Sequence, residues 1–330
     1  MNNLPKHISF TQMSIYERCP RLYKVIYLDG VNEETKLMMI GKDIHKIIEA
    51  INLKIKNTKK DEIDVNDIRD IFNKYMGNNF TGIDEYNKIW KSILIYAEET
   101  FKSIKNIVEV EYEVRYKIKD GRRRVELVGI IDRMDLFQDE LEIIDLKMMK
   151  IPTKDEVRND FQLNVYAYLI SKIYPEFKIS TSIYSILHNI KVKVNKEPSD
   201  FDYIPEYVVN LYKKMHNDTV FEPILNDRCY ECPRKCEKYI NFLKNNLQIE
   251  NINEDNLVRL YFEVSDKVKI LSKVKDEIKN LLMDRVRNYG DFEKDGYYFT
   301  IEAKHRDAYM VEAVDYEQLV IKKIKNVIKK

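Results

Sequence analysis

Two stretches near the middle of the chain decide how the rest is read. They are Val125-Glu126-Leu127-Val128-Gly129-Ile130-Ile131-Asp132-Arg133-Met134-Asp135-Leu136 and Leu141-Glu142-Ile143-Ile144-Asp145-Leu146-Lys147-Met148. Both are rich in aliphatic and β-branched residues, and the pair Gln138-Asp139 between them is a turn signal, so together they read as a β-hairpin. If the loop centres on that pair, residue i faces residue 277 − i, and Asp132 lies opposite Asp145. Lys147 falls on the same face, because strand side chains repeat every second residue. A loop of odd length would break this register. Two facing carboxylates destabilise a sheet, and a divalent cation that takes oxygen ligands relieves the repulsion. A lysine beside such a cation can orient and polarise a water, which is the equipment of metal-assisted phosphodiester hydrolysis. The plainer alternative is a charged hairpin face in water. Against it, Ile130, Ile131, Ile143 and Ile144 flank the aspartates and point to partial burial, where unpaired carboxylates are costly.

Working outward, Val108, Val110, Tyr112, Val114 and Tyr116 alternate with charged residues and predict a strand, with a turn at Asp120-Gly121. The middle of the chain is thus an antiparallel meander. A helix is expected from about Lys154 to Ile173, then strands over 179–187 and 190–194. Towards the start, Ser9-Phe10-Thr11-Gln12 fits a capping box, and the helix it opens should end at Cys19-Pro20. From Gly41 to about Lys54, Ile40, Ile44, Ile47, Ile48 and Ile51 form one helical stripe. His45 sits at the edge of that stripe, with Glu49 one turn on. Residues 55–106 read as further helices, punctuated at Asn57-Thr58 and Gly77-Asn78-Asn79. Beyond the middle, apolar residues from Leu257 to Leu281 recur every three or four positions, a long amphipathic helix with a coiled-coil-like seam that Gly290 should end. Tyr297 to Val311 reads as strand or hairpin, and 315–330 as a basic terminal helix. The expected division is 1–246 and 247–330.

Composition narrows the classes. A chain of 330 residues holds one large domain or two of about 100–200 residues. With 44% hydrophobic and 34% charged residues it can bury a core under a charged surface, which excludes a disordered chain. The net charge of +1 excludes a polybasic coat but not a local basic stripe for nucleic acid. No window approaches the roughly 18 apolar residues of a membrane span, and the first residues lack an apolar signal core. A cytoplasmic location and no membrane partner are expected.

The four cysteines are placed unevenly. Cys19 stands alone, while Cys229, Cys232 and Cys236 form C-x2-C-x3-C. In a reducing compartment this reads as a metal or redox site rather than a disulfide staple.

Gly129-Ile130-Ile131-Asp132-Arg133 followed by Ile144-Asp145-Leu146-Lys147 resembles motifs II and III of the PD-(D/E)XK nuclease superfamily. Three further pieces resemble its RecB-like branch: Gly41-Lys42-Asp43-Ile44-His45, Gln162-Leu163-Asn164-Val165-Tyr166, and Ser9 to Pro20 with its lone cysteine. Five motifs in order, across about residues 8 to 237, are far more specific than any one. The resemblance implies an α/β fold, a mixed sheet flanked by helices, here with a helical C-terminal extension. It implies that Asp132, Asp145, His45 and the Leu146 carbonyl hold Mg²⁺ or Mn²⁺, imidazole suiting Mn²⁺ better. Lys147 would position or activate the water and stabilise charge at the phosphate. Gln162 and Tyr166, four apart on one helix face, would orient the site or the DNA. Taken singly, His45 has the blander reading of a core histidine, and Gln162 and Tyr166 of packing contacts.

The cysteines are similar to those of the branch that carries a 4Fe–4S cluster, found in CRISPR-associated RecB-like exonucleases and AddAB-type helicase–nucleases. By that resemblance Cys19, Cys229, Cys232 and Cys236 would hold the cluster, clamping the first helix to the end of the domain. The family's usual ending is C-x2-C-x5-C, so the shorter spacing here is a departure. Four thiolates also suit Zn²⁺. Arg122, Arg123 and Arg124, at the turn before the central hairpin, are candidates for gripping DNA phosphates, with Lys150 and Lys154 just past Lys147. Some of the 23 tyrosines are candidates for stacking on bases of a single strand.

The reading is a metal-dependent DNA exonuclease acting at ends or on single strands, leaving 5′-phosphates, in recombination, repair, phage or CRISPR processing. A helicase, recombinase or integrase is the kind of partner expected. Its rivals are a spacer-trimming nuclease working with an integrase, a scaffold with a vestigial site, and an Fe–S redox sensor.

Overall fold

The computed structural model describes residues 5, 7–31, 36–58, 64–76, 83–102, 106–247, 254–294, 297–306 and 314–323. The turn expected at Gly77-Asn78-Asn79 lies outside them. The chain divides into two compact units, Met1–Cys236 and Glu237–Lys330. That division falls before helix Glu237–Leu247, upstream of the boundary expected near 247.

The first unit opens with β1 (His7–Ser9) and α1 (Phe10–Arg18), then α2 (Pro20–Tyr23) and a π-helical turn. The capping box forms as expected: Ser9 Oγ accepts the Gln12 N–H, and Gln12 Oε1 accepts the Ser9 N–H at 2.8 Å. Cys19 adopts an extended backbone ahead of Pro20 and ends α1. Helices α3 (Lys36–Asn57), α4 (Val65–Tyr75) and α5 (Ile83–Lys102) follow. The isoleucine stripe of α3 is buried against Ile68, Phe72, Ile89 and Ile93, and this cluster takes in Ile144 and Leu146 from the sheet.

The sheet is β2 (Ile107–Asp120), β3 (Arg123–Phe137), β4 (Glu140–Lys147), β5 (Lys178–Ser185) and β6 (Ile190–Lys196), with β1. The hairpins β2–β3, β3–β4 and β5–β6 are antiparallel, whereas β4–β5 and β1–β3 are parallel, so the sheet is mixed. The β4–β5 crossover runs through α6 (Lys154–Asn159) and α7 (Phe161–Ile173). These are two helices, not the single one expected. Asp160 turns extended between them, and its carboxylate caps α7 by accepting the Leu163 N–H at 3.0 Å. Helix α7 and α8 (Ile204–Asn217) close the second face, in a core with Ile131, Ile143 and Leu127.

The long strand β3 organises the unit. Along one edge it pairs with β2 from Arg123 to Asp135. Its other edge is shared: β1 takes Glu126–Val128, and β4 takes Arg133–Phe137. Among the described residues neither pairs with the four from Gly129 to Asp132, and a fork opens there.

The second unit contains α9 (Glu237–Leu247), α10 (Glu254–Tyr289), and a three-stranded antiparallel sheet, β7 (Phe292–Lys294), β8 (Tyr297–Arg306) and β9 (Val314–Lys323). Gly290, at φ +79, ends α10 as expected. Residues 315–323 form a strand, which corrects the expected terminal helix. Its β-branched residues, Val320 and Ile321, lie in register with Thr300 and Phe299 of β8, and pairing overrides the helical look of its lysines. Residues 324–330 lie outside the described chain.

Candidate metal centre

The observed β3–β4 register sets Arg133 against Ile144 and Met134 against Ile143, which is the 277 − i arithmetic. The loop is two residues, with Gln138 left-handed at φ 56. One step past the last pair, Asp132 and Asp145 face each other across the opening fork. There the Asp132 side chain replaces the lost ladder: its Oδ2 accepts the Leu146 N–H at 2.7 Å. Asp145 is buried, and Lys147 lies against it, Nζ 2.9 Å from Oδ2 and 3.1 Å from Oδ1. His45 arrives from α3, beside Ile44, which is buried in one cluster with Ile144 and Leu146 of β4. Its ring meets the Leu146 carbonyl and feels the charges of Asp145 and Lys147. The four residues read from sequence as cation ligands therefore share one place.

A further residue joins them. Among the described residues, one group of three potential ligand atoms lies within 4.8 Å of one another: His45, Glu111 and Asp132. Glu111 is not among the residues read from sequence as ligands, where it is one of the charged residues alternating along β2. On a regular strand Val110 and Tyr112 would share a face. Here Val110 packs with the α3–α5 cluster and Tyr112 with the α7 cluster. The inversion occurs at Glu111, which holds φ 48 within the strand. A left-handed non-glycine residue costs about 1–2 kcal/mol. The signal was available: β2–β3 also has a two-residue turn, Asp120 pairs with Arg123, and the same register carried back sets Glu111 opposite Asp132. Three carboxylates thus form a row across β2, β3 and β4. Beside them Arg133 turns to the other face, bonding Asp135 twice at 2.6–2.7 Å and donating to Thr100 Oγ1 at 3.1 Å.

The electrostatics record the crowding. Burial pushes Asp132 up to about 6 and Asp145 up to about 7. Burial, with the charges of Asp132 and Glu49, pushes Glu111 up to about 7. Burial lowers the His45 pKa and so favours the neutral ring, the form that ligates metal. Burial alone would lower the Lys147 pKa, but Asp145, with Asp132 and Asp160, outweighs it and keeps the ammonium charged. Carboxylates, an imidazole nitrogen and a nearby backbone carbonyl make a donor set that suits Mg²⁺ or Mn²⁺. A cation would offset the repulsion that Lys147 compensates only in part.

A family model described as the PD-(D/E)XK nuclease superfamily matches residues 7–236. The chain belongs to that superfamily. Its members are metal-dependent nucleases, and the fork between β3 and β4 holds the residues that resemble the motif that names them. The crystal structure of SSO0001 is similar at 16% identity and a TM-score of 0.35, covering 71% of this chain and 89% of that one. No curated protein matches by sequence.

The nuclease unit places its other expected residues as follows. Gln162 Oε1 accepts from Lys147 Nζ at 3.1 Å, and Gln162 Nε2 donates to the Tyr166 hydroxyl at 3.0 Å. Tyr166 lies against Gly129, where a Cβ would sit 2.9 Å from its ring. The glycine thus lets α7 approach the sheet closely enough for this relay to reach Lys147. Arg122, Arg123 and Arg124 are exposed, at the far end of β3 from Asp132. Nine residues separate Arg123 from Asp132, roughly 30 Å of strand, so these arginines are not beside the carboxylates as the turn's place in sequence suggests. Lys150 and Lys154 are exposed, just past Lys147 in the chain.

Cys19 is buried, and Cys229, Cys232 and Cys236 are partly so. Cys19 Sγ accepts the Ile224 N–H at 3.4 Å, Cys229 Sγ accepts the Asn226 N–H at 3.3 Å, and Cys232 feels both Cys19 and Cys236. The thiols share a neighbourhood, yet no three of them lie within 4.8 Å of one another. The segment after α8 is tied to α1 without them, by Tyr16 donating to Asp218 at 2.6 Å and Asn226 donating to the Arg18 carbonyl at 3.3 Å. Among the described residues no helix is long and apolar enough to cross a membrane.

Proposed function

We propose that this chain is a DNA exonuclease that hydrolyses phosphodiester bonds at ends or in single strands and leaves 5′-phosphates. The observation that carries the reading is the convergence of His45, Asp132, Asp145 and Lys147 at the fork, with Lys147 held between Asp145 and Gln162. Asp132, Asp145, His45 and the Leu146 carbonyl would hold Mg²⁺ or Mn²⁺. When bound, that cation supplies Lewis acidity at the phosphate and lowers the pKa of water. Lys147, cationic at neutral pH, stabilises the negative charge that develops on the phosphoryl oxygens rather than taking a proton. Gln162 fixes its ammonium, and Tyr166 fixes Gln162, so the charge is aimed before substrate arrives. Arg122, Arg123 and Arg124 would grip phosphates well away from the cut, on a long substrate. Cys19, Cys229, Cys232 and Cys236 would hold a 4Fe–4S cluster, or Zn²⁺ as the alternative. Support for this is their shared neighbourhood; the role would be structural.

End dependence is the test. Linear end-labelled DNA and covalently closed circles are incubated with Mn²⁺ or Mg²⁺. Loss of the linear DNA with circles intact, and products open to ligation, is expected. Cutting of circles at an equal rate would show an endonuclease.

A further inference from the structure

We infer that Glu111 is a metal ligand, completing with His45 and Asp132 a cation position on the β2 side of the fork. The inference rests on the metal-dependent reading above and adds a residue that the motif does not contain. Its geometry is direct. The Glu111 carboxylate, the His45 ring and Asp132 offer ligand atoms that all lie within 4.8 Å of one another. Asp145 is not in this group. Both its oxygens are engaged by Lys147, at 2.9 Å and 3.1 Å. Asp132 gives Oδ2 to the Leu146 N–H, which leaves its Oδ1 free of that bond. Among the described residues, the group of three ligand atoms at the fork thus takes one from β2, where the motif names no ligand.

The backbone adds an independent reason. A glutamate at φ 48 in the middle of a paired strand is the wrong residue for that conformation, which glycine or asparagine adopts more readily. The inversion at Glu111 also lets Val110 enter one core while Tyr112 enters the other. Glycine would serve that turn of the chain equally well. The carboxylate is what glycine lacks, and it points at two residues that the motif assigns to the metal. Glu49, one turn beyond His45 on α3, adds its charge to the same place, so the position is doubly biased towards a cation.

The test is Mn²⁺ binding by the full chain, read by calorimetry and by the free-ion electron paramagnetic resonance signal, with no DNA present. Losing an outer-sphere partner of a metal typically costs about 10–100-fold in affinity, and losing a direct ligand should cost no less. Glu111→Gln should therefore weaken Mn²⁺ binding about tenfold or more while thermal unfolding shows an intact fold. Glu111→Asp separates ligation from simple charge: it keeps the charge but withdraws the oxygen by one methylene. A direct ligand predicts weakened binding in Glu111→Asp too. Glu113→Gln, an exposed neighbour paired with Arg115, should bind as wild type does. Wild-type affinity in both Glu111 variants overturns the inference and leaves the nuclease reading standing. Wild-type affinity in Glu111→Asp alone, with Glu49→Gln as weak as Glu111→Gln, also overturns it, since charge at a distance would explain everything. Absence of Mn²⁺ binding by the wild-type protein overturns both this inference and the metal-dependent reading.

Discussion

The nuclease unit gathers potential metal ligands at two places, and they are built differently. At the fork, the carboxylates of Glu111, Asp132 and Asp145 are brought together by strand register and held under burial that raises all three pKa values. At the end of the unit, the four thiols stand near one another but not in a closed group, and besides the Cys19 bond to the Ile224 N–H the local fold is tied by hydrogen bonds that involve no thiol. The first place is preorganised and pays for it in repulsion. The second is an arrangement that a cluster would have to draw in. The difference teaches that a hydrolytic centre must aim its charges before substrate arrives, whereas four thiols proposed to hold a structural group only have to be within its reach.

The comparison breaks most sharply if the fork tolerates substitution. Asp145→Asn should abolish cleavage, and Lys147→Ala should lower kcat by about 10²–10³-fold, the usual loss when one charge-stabilising donor is removed. Gln162→Ala should cost about 10–100-fold by freeing the ammonium, and steady-state kinetics should place the loss in kcat rather than in KM.

Stability sharpens the same contrast. Gly129→Ala places a Cβ against the Tyr166 ring at 2.9 Å, and overpacking of this kind costs about 1–3 kcal/mol, visible as a lower Tm. At the fork itself, the carboxylates are harder to ionise folded than unfolded. Between the ordinary carboxylate value of 3.8 and about 7 the folded chain binds more protons than the unfolded one. Their contribution is therefore most favourable at low pH and declines as pH rises towards about 7. Mn²⁺ reverses the sign. Its affinity should climb through pH 6 to 7 as the carboxylates release protons, and calorimetry in buffers of different ionisation enthalpy measures that release. At the thiol end, Cys232→Ser should shift the metal-free Tm by no more than about 0.5 kcal/mol equivalent, while abolishing any iron absorbance of anaerobically purified protein. A large loss of metal-free stability would show that the thiols hold the fold themselves.

Much of this was legible in the residues. The two-residue turn at Gln138-Asp139 fixes the register, and the register fixes Asp132 against Asp145. Ser9 and Gln12 announce α1, Cys19-Pro20 ends it, and the isoleucines of α3 place His45 at the edge of a buried face. What was not legible was conformation that breaks a period. The left-handed Glu111 inverts a strand's alternation, and alternation is the signal from which strands are read. Asp160 divides a helix because its own side chain offers the cap. Residues 315–323 carry a helical look but pair with β8, a long-range choice that no local window contains.

One measurement tests the central claim most directly: degradation of end-labelled DNA titrated with Mn²⁺, wild type beside Lys147→Ala, with both shown folded. The account predicts cleavage that rises with Mn²⁺ in the wild type and falls by about 10²-fold or more in the variant. Equal rates in the two proteins, or wild-type cleavage that persists in chelator, would contradict it.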